Sequence, residues 1–210
     1  MRVTARRLII ALAAAGLLAG CQKGASSAGS GGDAMTAPEM SLGNPNAKVT
    51  VVEYASDTCS HCARFATTVF PAFKTKYVDT GKVRYVFREF LTPPEQVSAA
   101  GFLLARCAGK DKYFQVIDAE FRGQQQMFES GDAKGTMLGI AKTFGLDEKQ
   151  FNDCVQNETA LKALGDRVQK AQDVDHITGT PTLIVNGKTL AEGEVTLAQL
   201  DAAIQPLLAK

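Results

Sequence analysis

Two histidines and a single C-x-x-C pair are all that this 210-residue chain offers a thiophilic metal. Structural zinc takes four ligands, commonly from two such pairs, so a zinc module is disfavoured. Clusters of Lys and Arg are also missing, which argues against a nucleic-acid-binding surface. Acidic residues are absent from the first 21 positions, MRVTARRLIIALAAAGLLAGC, where Arg2, Arg6 and Arg7 precede an apolar run from Leu8 to Gly20. That run is too short to span a bilayer comfortably, and residues 1–20 read as an export signal.

The end of this run extends the export reading. Leu18-Ala19-Gly20-Cys21 resembles the lipobox of bacterial lipoproteins, in which cleavage before the Cys follows attachment of diacylglycerol to its sulfur. Cys21 is then the expected lipid attachment site and the route to the membrane; cleavage near Ala25, giving a soluble protein, is the alternative. Gln22 in place of Asp resembles an outer-membrane sorting signal, so the expected location is exported, lipid-anchored and facing the periplasm. Residues 21–43 are rich in Gly, Ser and Ala and read as a flexible tether. About 165 residues remain, enough for one domain with a sizeable core. Without the three signal arginines, 20 basic residues face 22 acidic ones, a formal charge of −2.

Five cysteines is an odd number for an exported protein. With Cys21 consumed by lipid, four remain for two pairs. Cys59 and Cys62 are near neighbours, and Cys107 and Cys154 are the natural structural disulfide in an oxidising compartment. On the chain-entropy account that bond is worth about 4 kcal/mol. Two separate buried thiols are the alternative.

Val49 to Tyr54 is β-branched and aromatic, as a strand buried on both faces requires. Asp57 or Thr58 is positioned to cap the following helix, whose apolar residues Cys62, Phe65, Val69, Phe73 and Tyr77 recur at three and four residues. Pro71 falls inside that helix and is expected to kink or divide it. Val83–Phe90 reads as a second strand, parallel to the first because a helix connects them. Residues 93–175 are helical in pattern, with segments near 95–108, 111–122, 134–144, 147–155 and 158–174. Strand character returns at Thr182–Val185, and Asn186-Gly187 predicts a hairpin to Lys188–Ala191. Thr196 with Gln199 caps a final helix.

This order, with Cys59-Ser60-His61-Cys62 opening the first helix and Gly179-Thr180-Pro181-Thr182 before the hairpin strand, resembles a DsbA-like thiol:disulfide oxidoreductase. The resemblance implies an α/β, thioredoxin-like fold with a central mixed β-sheet, built from 44–92 and 176–210 and interrupted by the inserted α-helical subdomain 93–175. It implies that Cys59 is the exposed nucleophile, Cys62 the resolving thiol and Pro181 a cis-proline beside Thr180. It also places a buried acid at Glu53. The partners it implies are unfolded or partly folded exported proteins with thiols, together with a membrane redox partner that resets the disulfide. No cofactor beyond the Cys59-Cys62 disulfide is expected.

The residues support these roles on their own chemistry. A Cys at a helix N-terminus meets unpaired N–H groups and the positive end of the helix dipole, which favour thiolate, and His61 adds to this if it is protonated or donates toward Cys59. A stabilised thiolate leaves readily, which makes the disulfide oxidising. Glu53 is either a buried acid that moves the Cys62 proton or a strand-end residue paired to a lysine. The direction of exchange stays open. Ser60 stands where well-known oxidases have Pro, and Thr180 is common in isomerases and reductases, although those isomerases usually carry a dimerisation domain. Two further readings remain: copper handling by Cys59, Cys62 and His61, with His176 approaching, and a non-catalytic peptide-binding module.

Overall fold

The computed structural model describes residues 31–209, and its first elements fall where composition points to a tether. Gly31–Thr36 form helix α1, and Met40–Leu42 form strand β1. The tether reading of 21–43 therefore fails from residue 31 onward, and the rest of that segment, with Cys21, lies outside the described residues. The cause is a few isolated side chains in a Gly/Ser-rich background. Ala34, Met35 and Met40 are buried, and Glu39 pairs with Arg84 at 2.8 Å. Gly43, at φ +86°, then turns the chain so close to the Val83 carbonyl that a Cβ could not fit.

The next strand, β2 (Val49–Ala55), leads into helix α2 (Ser60–Arg64). A π-helical turn over Phe65–Val69 separates α2 from α3 (Phe70–Phe73), and a second over Lys74–Val78 comes after it. Pro71 in α3 has no N–H to continue the α-helical ladder, which divides the helix here. Strand β3 (Val83–Glu89) runs parallel to β2, with Glu53 opposite Phe87.

Five helices form the insertion: α4 (Glu95–Cys107), α5 (Tyr113–Ser130), α6 (Ala133–Thr143), α7 (Glu148–Val155) and α8 (Glu158–Asp173). The fifth helix runs past the expected stop near residue 122. Gly123 sits mid-helix, where α6 packs closely: a Cβ there would lie 3.6 Å from Thr136. Cys107 is disulfide-bonded to Cys154, joining α4 to α7. The chain ends with β4 (Thr182–Val185), β5 (Lys188–Glu192) and α9 (Leu197–Leu208). Asn186 and Gly187 both have positive φ, the backbone of a two-residue hairpin turn.

The sheet has the order β1-β3-β2-β4-β5, with β2 parallel to β3 and the other pairs antiparallel. Side chains alternate across it. Val49, Val51 and Ala55 face the main core with Phe65, Phe73, Tyr85 and Phe87, while Tyr54 packs on the opposite face with Phe90, Ala171 and Ile177. Glu53 shares the main-core face with Val51 and Ala55.

The insertion is gripped by one carboxylate at the end of β3. Glu89 accepts from Arg106 Nε at 2.6 Å, Tyr113 Oη at 2.9 Å and Arg167 at 2.8 Å, so α4, α5 and α8 converge on it. Arg106 also donates to the Ala34 and Ala37 carbonyls, tying the α1 segment to the same point. Arg106 and Glu89 side chains are each only 1% exposed. Truncating one partner of such a pair strands the other charge in a dry interior. Arg106→Ala is expected to lower unfolding free energy by about 3–5 kcal/mol in urea titrations; a loss below about 1 kcal/mol, the surface ion-pair range, would contradict this account.

Candidate active site

Cys59 occupies the N-cap position of α2, the role that Asp57 or Thr58 was expected to fill. Its Sγ accepts the Cys62 backbone N–H at 3.3 Å. This places a sulfur where capping oxygens usually sit, facing the unpaired amides of the first turn. The Cys59 thiol is lowered to about 5, first by the hydrogen bond from Cys62 and then, against the opposing cost of burial, by Thr180 and the backbone N–H groups of Cys62 and His61. As a thiol, Sγ donates to the Thr180 carbonyl at 3.3 Å. The Thr180 hydroxyl is buried with no hydrogen-bond partner, which leaves it free to donate once the sulfur is a thiolate.

Cys62 lies one turn inside and is fully buried. Burial first, and the neighbouring Cys59 second, push its thiol far above the usual range. The two sulfurs are therefore unequal at neutral pH: one thiolate at the surface and one protonated thiol beneath it. Both are reduced in this structure. Thr180–Pro181 is a cis peptide directly beside Cys59. Pro93–Pro94, at the start of the insertion, is also cis, a feature that sequence reasoning missed.

Glu53 is 2% exposed in the middle of β2, so the strand-end, lysine-paired reading does not hold. Its Oε2 accepts from the Tyr85 hydroxyl, and its Oε1 is buried with no partner. Burial pushes its carboxyl up to about 8, opposed by the Tyr85 hydrogen bond. Glu53 is among the charges that raise Cys62, which puts carboxyl and thiol within electrostatic reach.

The His61 imidazole is engaged by Glu194. Its Nδ1 pairs with Glu194 Oε1 at 2.6 Å, and Arg64 reaches the same oxygen at 3.0 Å. His61 lowers Cys59 through its backbone N–H, so the expected imidazole contribution is corrected. Glu194, which no sequence signal singled out, is itself lowered first by the His61 hydrogen bond. His176 is exposed in the loop before β4, at φ +55°. Among the described residues no group of three or more His, Cys, Asp or Glu side chains is arranged to hold a metal ion.

A second buried acid was also missed. Asp57 is 2% exposed and accepts from Ser98 Oγ at 2.6 Å, while Gln124 holds its backbone carbonyl at 2.6 Å. Its Oδ2 and both Glu120 oxygens are buried without partners around Gly101, where a Cβ would strike Asp57. Burial raises Asp57 to about 8 and Glu120 well above its usual value. The only sequence signal was an acid two residues before the motif, which a helix-capping role explained equally well.

Raised carboxyls bind protons more tightly in the folded than in the unfolded chain. Stability is then greatest near pH 4 and falls as pH rises toward about 8. Cys59 runs the opposite way in the reduced protein, since a depressed thiol contributes stability that is lost as pH falls through about 5. The disulfide form isolates the carboxyls: its melting temperature is expected to drop between pH 5 and pH 8, and Glu53→Gln to flatten the drop. An unchanged slope in Glu53→Gln would contradict this.

Comparison with known proteins agrees with this geometry. The Thioredoxin family model matches residues 35–206. A Rickettsia typhi protein named as a protein-disulfide oxidoreductase is 33% identical over 150 residues, 71% of this chain and 55% of that protein. The chain thus spans little more than half the length of that relative. Among solved structures, α-DsbA1 of Wolbachia pipientis superposes with a TM-score of 0.75 at 28% identity, covering 81% of this chain and 91% of that one. Oxidised BdbD of Bacillus subtilis shares the fold, with a TM-score of 0.64 at 20% identity over 82% of this chain and 94% of its own. The chain belongs to the thioredoxin family, and in sequence and fold it is similar to protein-disulfide oxidoreductases of the DsbA type.

Proposed function

We propose that the protein oxidises thiols of exported proteins, exchanging its Cys59-Cys62 disulfide through a mixed disulfide on Cys59. The observation that carries this is the inequality of the two sulfurs. A substrate thiolate attacks Cys59 Sγ and expels Cys62, which takes a proton in its buried site. A second substrate thiolate then attacks the substrate sulfur and expels Cys59 as a stable thiolate. Two substrate thiols become a disulfide, and the enzyme is left reduced. A low thiol pKa at Cys59 favours this reduced state, which makes the disulfide oxidising. Glu53 supplies the Cys62 proton, and the Thr180 backbone beside Pro181 receives an extended substrate segment. No cofactor beyond the disulfide takes part.

One observation favours a weaker oxidant or an isomerase as second reading. The His61 imidazole is paired with Glu194, and the contribution of His61 to the Cys59 thiolate comes from its backbone N–H. The reduction potential separates the two: about −120 mV supports the oxidant, and about −180 mV, the range of protein disulfide isomerase, the second reading. Separately, in a Cys62→Ala variant whose Cys59 is first converted to a mixed disulfide with glutathione, thiol-bearing substrates are expected to displace glutathione and accumulate as mixed disulfides on Cys59. If nothing is captured on Cys59, the exchange mechanism is wrong.

The domain is proposed to act outside the cytoplasm, anchored through lipid on Cys21 and re-oxidised by a membrane partner, with the outer membrane favoured by Gln22. Counting from Ser30, the nine residues back to Gln22 reach at most about 30 Å, so that partner must lie close to the anchoring leaflet. Cys21→Ser is expected to move the protein from the membrane to the soluble fraction on cell fractionation. Retention in the membrane would contradict the anchor.

A further inference from the structure

The buried acid has an unused oxygen beside a cavity. Glu53 Oε1 has no hydrogen-bond partner, while Oε2 is taken by Tyr85. Glu53 and Tyr85 line a cavity of about 40 Å³ whose other walls include Phe70, Phe114 and Asp118. That exceeds the roughly 10–15 Å³ of such space that one water needs, and the carboxyl and hydroxyl oxygens supply polar partners. Phe70, Phe114 and Asp118 also line an open surface groove of about 970 Å³. Asp118 is therefore shared between the two: its side chain is 48% exposed and pairs with Arg122 at 2.8 Å.

We propose that Asp118 is the outer station of a proton path joining Glu53 to solvent, with a water in the intervening cavity as carrier. This rests on the reading that Glu53 serves Cys62. When substrate expels Cys62, Glu53 gives it a proton and is left as a buried carboxylate without a proton source in the core. A proton returns from solvent through Asp118 and the cavity. On re-oxidation the flow reverses: Cys62 loses its proton to Glu53, attacks Cys59 Sγ and expels the partner thiolate. Asp118 acts through Glu53 and touches no reacting sulfur, so it positions and exchanges protons without being a catalytic residue.

The test monitors the reduced enzyme reacting with glutathione disulfide, quenched in acid and resolved by mass. Cys59 attack forms the mixed disulfide, and Cys62 attack then releases it, the two thiols giving two electrons to glutathione disulfide. Asp118→Asn is expected to slow the second step by about tenfold, below the 10²–10⁴-fold supplied by a directly acting acid or base. Cys59 attack and the reduction potential stay unchanged, and Asp118→Glu or added formate restores the rate. Arg122→Gln, which breaks the ion pair alone, leaves the rate as it was. In a Glu53→Gln background, Asp118→Asn adds nothing further. The path is overturned if Asp118→Asn leaves the second step untouched, or slows it equally in that background. A Glu53→Gln enzyme with a normal second step instead removes the role of Glu53 itself.

Discussion

The Glu89 carboxylate holds the two halves of this protein in register. It ends β3 in the sheet and accepts from Arg106, Tyr113 and Arg167 on three helices of the insertion. A buried carboxylate is costly unless it is fully paired, and here the pairing forces α4, α5 and α8 onto one end of the sheet. The site inherits its geometry from that docking. With α5 fixed, Gln124 reaches the Asp57 carbonyl just before the motif, Glu120 faces Asp57, and Asp118 lines the cavity at Glu53.

The chemistry then rests on a gradient of burial along one helical turn. Cys59 sits at the N-cap in contact with amides and the Thr180 loop, while Cys62 lies inside, within electrostatic reach of Glu53. Identical thiols are driven apart by position alone: donors at the helix end favour the charged form, and the apolar interior forbids it. Such separation gives a two-cysteine motif a direction of attack. It also sets a proton problem, because every change of state at Cys62 moves a proton through a core with few polar atoms.

Much of the fold was legible in the residues. The strand runs, Asn186-Gly187, the Thr196 capping box and Pro71 each act over a few neighbours, and the structure places strands, hairpin, cap and helix break where those signals fall. The misses share a different origin. Met40 reads as a lone apolar residue in a Gly/Ser-rich stretch until β3 offers it a partner strand. Gly123 reads as a stop until α6 is known to pack against it. The reach of Arg106 to Ala34 spans 72 positions, and no local pattern announces it.

For the site, the sequence by itself determined the Cys59-Cys62 pair and its place at a helix N-terminus, because a C-x-x-C after a buried strand is a local arrangement of chain and dipole. It also marked Thr180 and Pro181 as the loop before the hairpin. Only the tertiary structure decided what surrounds them: that Cys59 caps its own helix, that Glu194 takes the His61 imidazole, and that Asp57 is buried opposite Glu120. The physical reason is that electrostatics and solvation depend on distance through space. His61 and Glu194 are 133 residues apart in the chain and 2.6 Å apart in the fold.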